Sequence, residues 1–205
     1  MPRGRPSREG RQVRTKDELR REALAARDAI PPMTRIENAI ALADHADALG
    51  IEPGSTVSGY WPIRSEIDPR PLMFALRERG FRLALPAVLD DAIAFRELTR
   101  EGELEPAGFG TVAPASDATV VEPDVILLPL AAFDAAGNRI GYGRGHYDRC
   151  IAAMRERGLE PRLVGLAHAA QEVEAVPAEA HDVRLHAILH EQGLHATSPE
   201  VAERT

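Results

Sequence analysis

The segment RIGYGRGHYDR, residues 139–149, sets three glycines, three arginines and two tyrosines around one aspartate. Gly141, Gly143 and Gly145 remove side chains where an anionic group must approach the backbone, and Arg139 and Arg144 can neutralise its charge. Asp148 then supplies a carboxylate, the ligand that magnesium takes beside phosphate while water and phosphate oxygens complete its shell. The set reads as a nucleotide-phosphate site. Its spacing is GxGxG, neither the dinucleotide GxGxxG nor the Walker GxxxxGK[ST]. Spacing alone is equally compatible with a glycine-rich turn carrying solvated arginines.

Such a loop needs a strand to deliver it and a helix to follow it, because helix N-termini attract anions and parallel sheets bind ligands beyond their strands' carboxyl ends. Both are predicted. DVILLPL, residues 124–130, is an almost wholly apolar strand buried on two faces, and residues 146–158 have helical character. Upstream, residues 15–30 form a helix with Thr15 as cap, Glu18 three residues on and a stop at Pro31-Pro32. A second helix starts from Thr34, carries Ile36, Ile40, Ala43, Ala46 and Leu49 as its apolar stripe, and ends at Gly50. A strand at 55–61, a helix at 69–80 and strands at 81–88 and 92–98 precede a loop over 101–123. Strands at 162–168 and 185–190 close the pattern. This alternation predicts a single α/β domain over residues 15–190, a layered fold with a central, largely parallel sheet flanked by helices.

The chain has 205 residues, enough for one domain with tails. A net charge of −7 argues against wholesale nucleic-acid binding, and no apolar run is long enough to span a membrane. A single cysteine, Cys150, excludes an internal disulfide and suits the cytoplasm. Residues 1–14 carry five arginines against one glutamate and read as a disordered basic tail; residues 191–205 read as a flexible C-terminal tail.

The segment LPLAAFDAAGNRIGYGRGHYDR, residues 128–149, resembles the signature of the 5-formyltetrahydrofolate cyclo-ligase family. KDELR at 16–20, YWPIRSEIDPRPL at 60–72 and LAHAAQEVEAVPAEAHDVRL at 166–185 resemble three further pieces of that family, in the same order. The resemblance implies an enzyme that uses ATP and Mg²⁺ to convert 5-formyltetrahydrofolate, a reduced folate, to 5,10-methenyltetrahydrofolate through a phosphorylated formyl group. It implies ATP contacts by Lys16, Arg20 and the loop Arg139, Gly141, Tyr142, Gly143, Arg144, Gly145, His146 and Tyr147, with Arg139 and Arg144 serving the chemistry and Asp148 holding the metal. It places Ile63, Glu66, Asp68, Tyr142 and His146 at the folate, and Phe109 in the central loop can stack on it. Either Glu66 or Asp68 can grip the pterin edge through paired N–H bonds, and either can instead cap the helix that begins near Pro69.

His146 and His168 stand where the family usually has aromatics, and His186 where it usually has Asp. A binding paralogue without turnover is therefore the alternative. A histidine metal site is disfavoured, since His186 and His190 lie more than ~10 Å apart along a strand. HEQGLH also lacks the HExxH spacing. A dehydrogenase is excluded by the absent GxGxxG, and RNA binding would rest on the tail and loop arginines alone.

Overall fold

The computed structural model describes residues 14–89, 92–108, 110–179 and 182–197. The first helix, α1 (Lys16–Asp28), starts at the predicted capping box, with Thr15 and Glu18 exchanging side-chain and backbone hydrogen bonds. The second, α2 (Pro32–Asp44), departs from expectation. Its cap is Pro31 rather than Thr34, because Pro32 suits the first helical position, where no N–H is needed. Its stripe differs too: Ala39 and Leu42 are buried, whereas Ile36 and Ile40 are each 55% exposed. Leu49 belongs to a separate 3-10 turn closed by Gly50 in the left-handed conformation.

Next come β1 (Thr56–Ser58), α3 (Arg70–Glu78), β2 (Arg82–Leu89) and β3 (Ala92–Glu97). The expected loop at 101–123 contains a small hairpin, β4 (Leu104–Pro106) with β5 (Val112–Pro114). The buried strand β6 (Val125–Pro129) leads to a second hairpin, β7 (Ala132–Phe133) with β8 (Arg139–Ile140), and then to α4 (His146–Glu156). The chain continues through β9 (Arg162–Leu166) and β10 (Ala187–His190). Beyond residue 190, where a structureless end was expected, β11 (Gly193–Ala196) pairs antiparallel with β10. Four residues are too few to show a period, and the partner strand decides their conformation.

The main sheet has seven strands in the order β11-β10-β9-β6-β1-β2-β3. The five from β10 to β2 run parallel, with one antiparallel strand at each edge. On one face α2 and α3 bring Leu42, Leu72 and Leu76 against Val57, Leu83 and Leu127; on the other α4 brings Ile151 and Met154 against Ile126, Leu128 and Leu163. The alternating side chains of β6 feed both layers, which explains its apolar run. Helix α1 lies elsewhere, packing Leu19 and Ala23 on Ala131, Ala132, Ile140 and Val176 in the connections that follow β6 and β9. Among the described residues no helix is long and apolar enough to cross a membrane.

Candidate functional site

Three connections leave the carboxyl ends of the central strands: residues 59–69 after β1, 130–145 after β6, and 167–179 with 182–186 after β9. Helix α1 crosses them and carries cations into each junction. Lys16 Nζ binds Asp182 at 2.7 Å and lies 3.4 Å from Glu179. Burial works to lower the Lys16 pKa, but Asp182 and Glu179 outweigh it and raise it. One turn on, Arg20 donates to the Gly141 carbonyl at 2.8 Å and also pairs with Asp17. A third cation, Arg27, donates to Ser65 Oγ at 3.0 Å and to the Tyr142 hydroxyl at 2.6 Å.

The glycine loop joins β8 to α4. Gly143 and Gly145 have φ of 86° and 65°, values that side chains rarely adopt, and Gly145 forms the left-handed N-cap of α4. A Cβ at Gly141 would meet nothing within 4 Å, and one at Gly143 only the Arg20 guanidinium at 3.8 Å. The loop backbone is therefore uncovered at Gly141 and faces the Arg20 guanidinium of α1 at Gly143. Arg139 begins it from an almost buried position, bonded to Asp148 Oδ1 at 2.6 Å and to the Val183 carbonyl. Burial lowers the Arg139 pKa, with Asp148 and then Asp182 opposing that. The exposed Arg144 presents its carbonyl to Arg149, while His146 and Tyr147 open the helix. Burial, with Glu66 nearby, raises the Tyr147 pKa.

The turn after β1 separates the two carboxylates that the sequence leaves open. Asp68 is committed to α3: it accepts the Arg70 backbone N–H at 2.9 Å and pairs with the Arg70 guanidinium at 2.6 Å, which in turn lies over Trp61. Glu66 is buried, accepts the Ile63 N–H at 2.9 Å and interacts with Tyr142. Burial raises its pKa, opposed by the Ile63 N–H, Tyr142, Arg27 and Arg64. Tyr142 is pushed up to about 12, chiefly by burial and then by Glu66, so it is a neutral hydroxyl throughout the physiological range.

His168 follows β9 with no exposed surface; its Nδ1 meets Asn38 Nδ2 at 2.9 Å, and its Nε2 has no hydrogen-bond partner among the described residues. His190 stacks on His195 at 4.4 Å between ring centroids, rather than meeting His186. Among the described residues no group of three or more His, Cys, Asp or Glu could hold a metal ion. Asp148 and Asp182 both act on Arg139 at the start of the loop, a donor set that suits magnesium completed by phosphate and water. Phe109 lies outside the described residues, as do residues 1–13 of the basic tail. Arg27, Ser65 and Asp182 are partners that spacing did not single out. Arg27 had a signal: it falls on the same helical face as Lys16 and Arg20, in line with the buried Leu19 and Ala23.

These features define an α/β protein whose charged and polar side chains converge beyond the carboxyl ends of its parallel strands. Residues 12–191 match the model of the 5-formyltetrahydrofolate cyclo-ligase family, and the chain belongs to that family. It is a ligase by that membership. It is 32% identical to a 5-formyltetrahydrofolate cyclo-ligase of Mycolicibacterium smegmatis, over 88% of this chain and 96% of the relative. The Escherichia coli K12 enzyme of the same name is 33% identical over 65% of this chain and 76% of its own. Among solved structures, the 5,10-methenyltetrahydrofolate synthetase of Aquifex aeolicus superposes with a TM-score of 0.71 at 27% identity, covering 89% of this chain and 92% of that one. The Mycoplasma pneumoniae synthetase, at 22% identity, shares the fold with a TM-score of 0.68 over 86% and 98% of the two chains.

Proposed function

We propose that the protein catalyses the ATP- and Mg²⁺-dependent cyclisation of 5-formyltetrahydrofolate to 5,10-methenyltetrahydrofolate, releasing ADP and phosphate, and that it does so in the cytoplasm. The observation that carries this reading is Tyr142. Its loop is held by Arg20, an α1 cation expected at phosphates, while its hydroxyl meets Arg27 and Glu66 beside the turn expected at the folate. A side chain shared by ATP and folate sites would hold the two substrates in one geometry, which favours a direct transfer between them.

Lys16, Arg20, Arg139 and Arg144 would neutralise the triphosphate over the open glycine backbone, with Asp148 holding the metal. Magnesium, when bound, would offset the charge of the phosphates. The formyl oxygen attacks the terminal phosphorus and ADP leaves. N10 then attacks the activated carbon, phosphate departs, and the N10 proton is lost as the methenyl bridge forms. Glu66 would take the pterin's paired N–H donors, since Asp68 is committed to Arg70. Ile63 would line the pocket, His146 would face both ligands, and the Phe109 ring would cover the folate.

The test mixes purified protein with 5-formyltetrahydrofolate, ATP and Mg²⁺ and follows the near-ultraviolet absorbance of the methenyl product. Growth of that band only when ATP is present supports the reading. A folded protein that binds ATP yet yields no band would be a binding paralogue.

A further inference from the structure

Arg27 is 1% exposed, among the largest fully buried side chains of the molecule. A guanidinium cannot shed its proton to escape burial, so its presence in the interior is costly unless its partners compensate. Those partners include residues of two separate loops, Ser65 and Tyr142, with Asp28 at the end of α1 itself. On one side are Ser65 Oγ at 3.0 Å and Asp28, whose carboxylate lies 3.8 Å from Arg27 Nε and also accepts the Ser65 hydroxyl. On the other is Tyr142, whose hydroxyl accepts from Arg27 at 2.6 Å while the guanidinium carbon stands 5.8 Å from its ring centroid.

The first loop is strained. Arg64 has φ of 53°, alone among the described non-glycine residues in taking a positive value, in a turn closed by Glu66 N–H on the Ile63 carbonyl at 3.1 Å. Such a conformation persists where the surroundings over-determine it, and it clusters at ligand sites. Here the carboxylate of the same turn, Glu66, is buried beside Tyr142. The hydroxyl of Tyr142 has one proton: accepting from Arg27, it can donate that proton to Glu66. The geometry points to Arg27 as a positioning residue that acts through Ser65 and Tyr142, fixing the strained turn and supplying the charge that lets a buried carboxylate face the ligand. The identity of that ligand rests on the folate reading above.

The consequence is a pH dependence. The groups facing Glu66 are Arg27 from α1, Arg64 in its own turn, Tyr60 after β1, Tyr142 from the glycine loop and Tyr147 from α4. Burial favours the protonated form of Glu66, and Arg27 opposes it directly and through Tyr142. Without Arg27 or the hydroxyl, Glu66 takes up its proton at higher pH, and binding of an N–H donor edge is lost from the acid side earlier.

The decisive experiment titrates the Glu66 carboxyl by ¹³C NMR in protein labelled at glutamate, assigned with Glu66→Gln. Wild type, Arg27→Met, Arg27→Lys and Tyr142→Phe are compared, with melting temperatures recorded. Expected are an upward shift of the titration in Arg27→Met and Tyr142→Phe, and recovery toward wild type in Arg27→Lys. The KM for 5-formyltetrahydrofolate should rise about tenfold in Arg27→Met, with the acid limb of its pH profile moved in the same direction. If Arg27→Met does not fold, Tyr142→Phe decides, since it keeps the buried cation and removes only the link. An unmoved titration in folded Tyr142→Phe overturns the proposal. A moved titration in a protein that turns over no folate would uphold the Arg27–Tyr142–Glu66 chain and overturn the cyclo-ligase reading instead.

Discussion

At the residue scale, chemistry is divided between groups that the fold needs and groups that it tolerates. Glu66 is of the second kind: burial raises its pKa, so the ionised form at neutral pH costs stability, and it is kept where a ligand can use it. Glu66→Gln should therefore stabilise the fold by about 1 kcal/mol, roughly 2–4 °C in melting temperature, while raising the KM for the reduced folate well over tenfold. Asp68→Asn, which trims a charge from an ion pair with Arg70, should leave that KM within about twofold. Parallel melting curves and folate saturation curves of the two variants check both, and equal KM effects would reverse the assignment of the carboxylates. The phosphate side makes its own demand. Lys16→Ala or Arg144→Ala should raise the KM for ATP about tenfold and leave the melting temperature near wild type, because neither side chain packs in a core cluster. Full ATP use in both variants would remove those cations from the site.

At the element scale, α1 is the organiser, because its register puts Lys16, Arg20 and Arg27 on one face against three different connections. Its first turn depends on the Thr15–Glu18 box. Thr15→Ala should cost about 1 kcal/mol and, by fraying the turn that carries Lys16, raise the KM for ATP about two- to threefold with kcat little changed. Thermal melts and ATP titrations measure the two effects; a stability loss with no change in KM would mean that Lys16 needs no ordered helix start. The same helix shows what a sequence can reveal. Its cap, length and stop were legible because they depend on neighbours three or four residues away, and β6 was legible because burial on two faces leaves an unbroken apolar run. The face of α2 was not, since Ile36 and Ile40 fit the helical period but the tertiary contacts choose Ala39 and Leu42. The hairpins β4–β5 and β7–β8 and the edge strand β11 escaped because short strands owe their shape to a partner. In the candidate site, glycine spacing and family likeness gave the loop and the Lys16–Arg20 pair. The contacts of Arg27 with Ser65 and of Lys16 with Asp182 escaped, because they join residues 38 and 166 positions apart.

At the scale of the whole molecule, the histidines give the fold a pH limit that the carboxylates do not set. His168, His186 and His190 all have lowered pKa values, first because burial disfavours the charged form; at His190 the neighbouring His195 adds to it, and at His186 Arg155 and Arg162 do. A group whose folded pKa lies below its unfolded value, near about 6.5 for histidine, contributes its full stability above that value and loses it as the pH falls through the folded pKa. The unfolded chain takes up these protons first, so unfolding gains ground as the medium acidifies. Glu18 and Asp47 have lowered pKa values that start from carboxylate values, so their loss comes below about pH 4.5 and outside this window. Glu66 works with the opposite sign, since its raised pKa makes protonation stabilising as the pH falls toward its folded value. The urea midpoint should thus drop steadily from pH 7 toward pH 5 and stay level between about pH 7.5 and 8, below the range where the unfolded chain loses its cysteine and tyrosine protons. His168→Phe should flatten that slope, because it removes the most deeply buried of the three and places an aromatic ring in the same space. The variant leaves Asn38 without its imidazole partner, so its unfolding free energy at pH 7.5 should lie below wild type by about 1 kcal/mol while the two curves converge at pH 5. Parallel curves across that range would show that His168 takes up its proton equally in the folded and unfolded states and that the acid limit arises elsewhere.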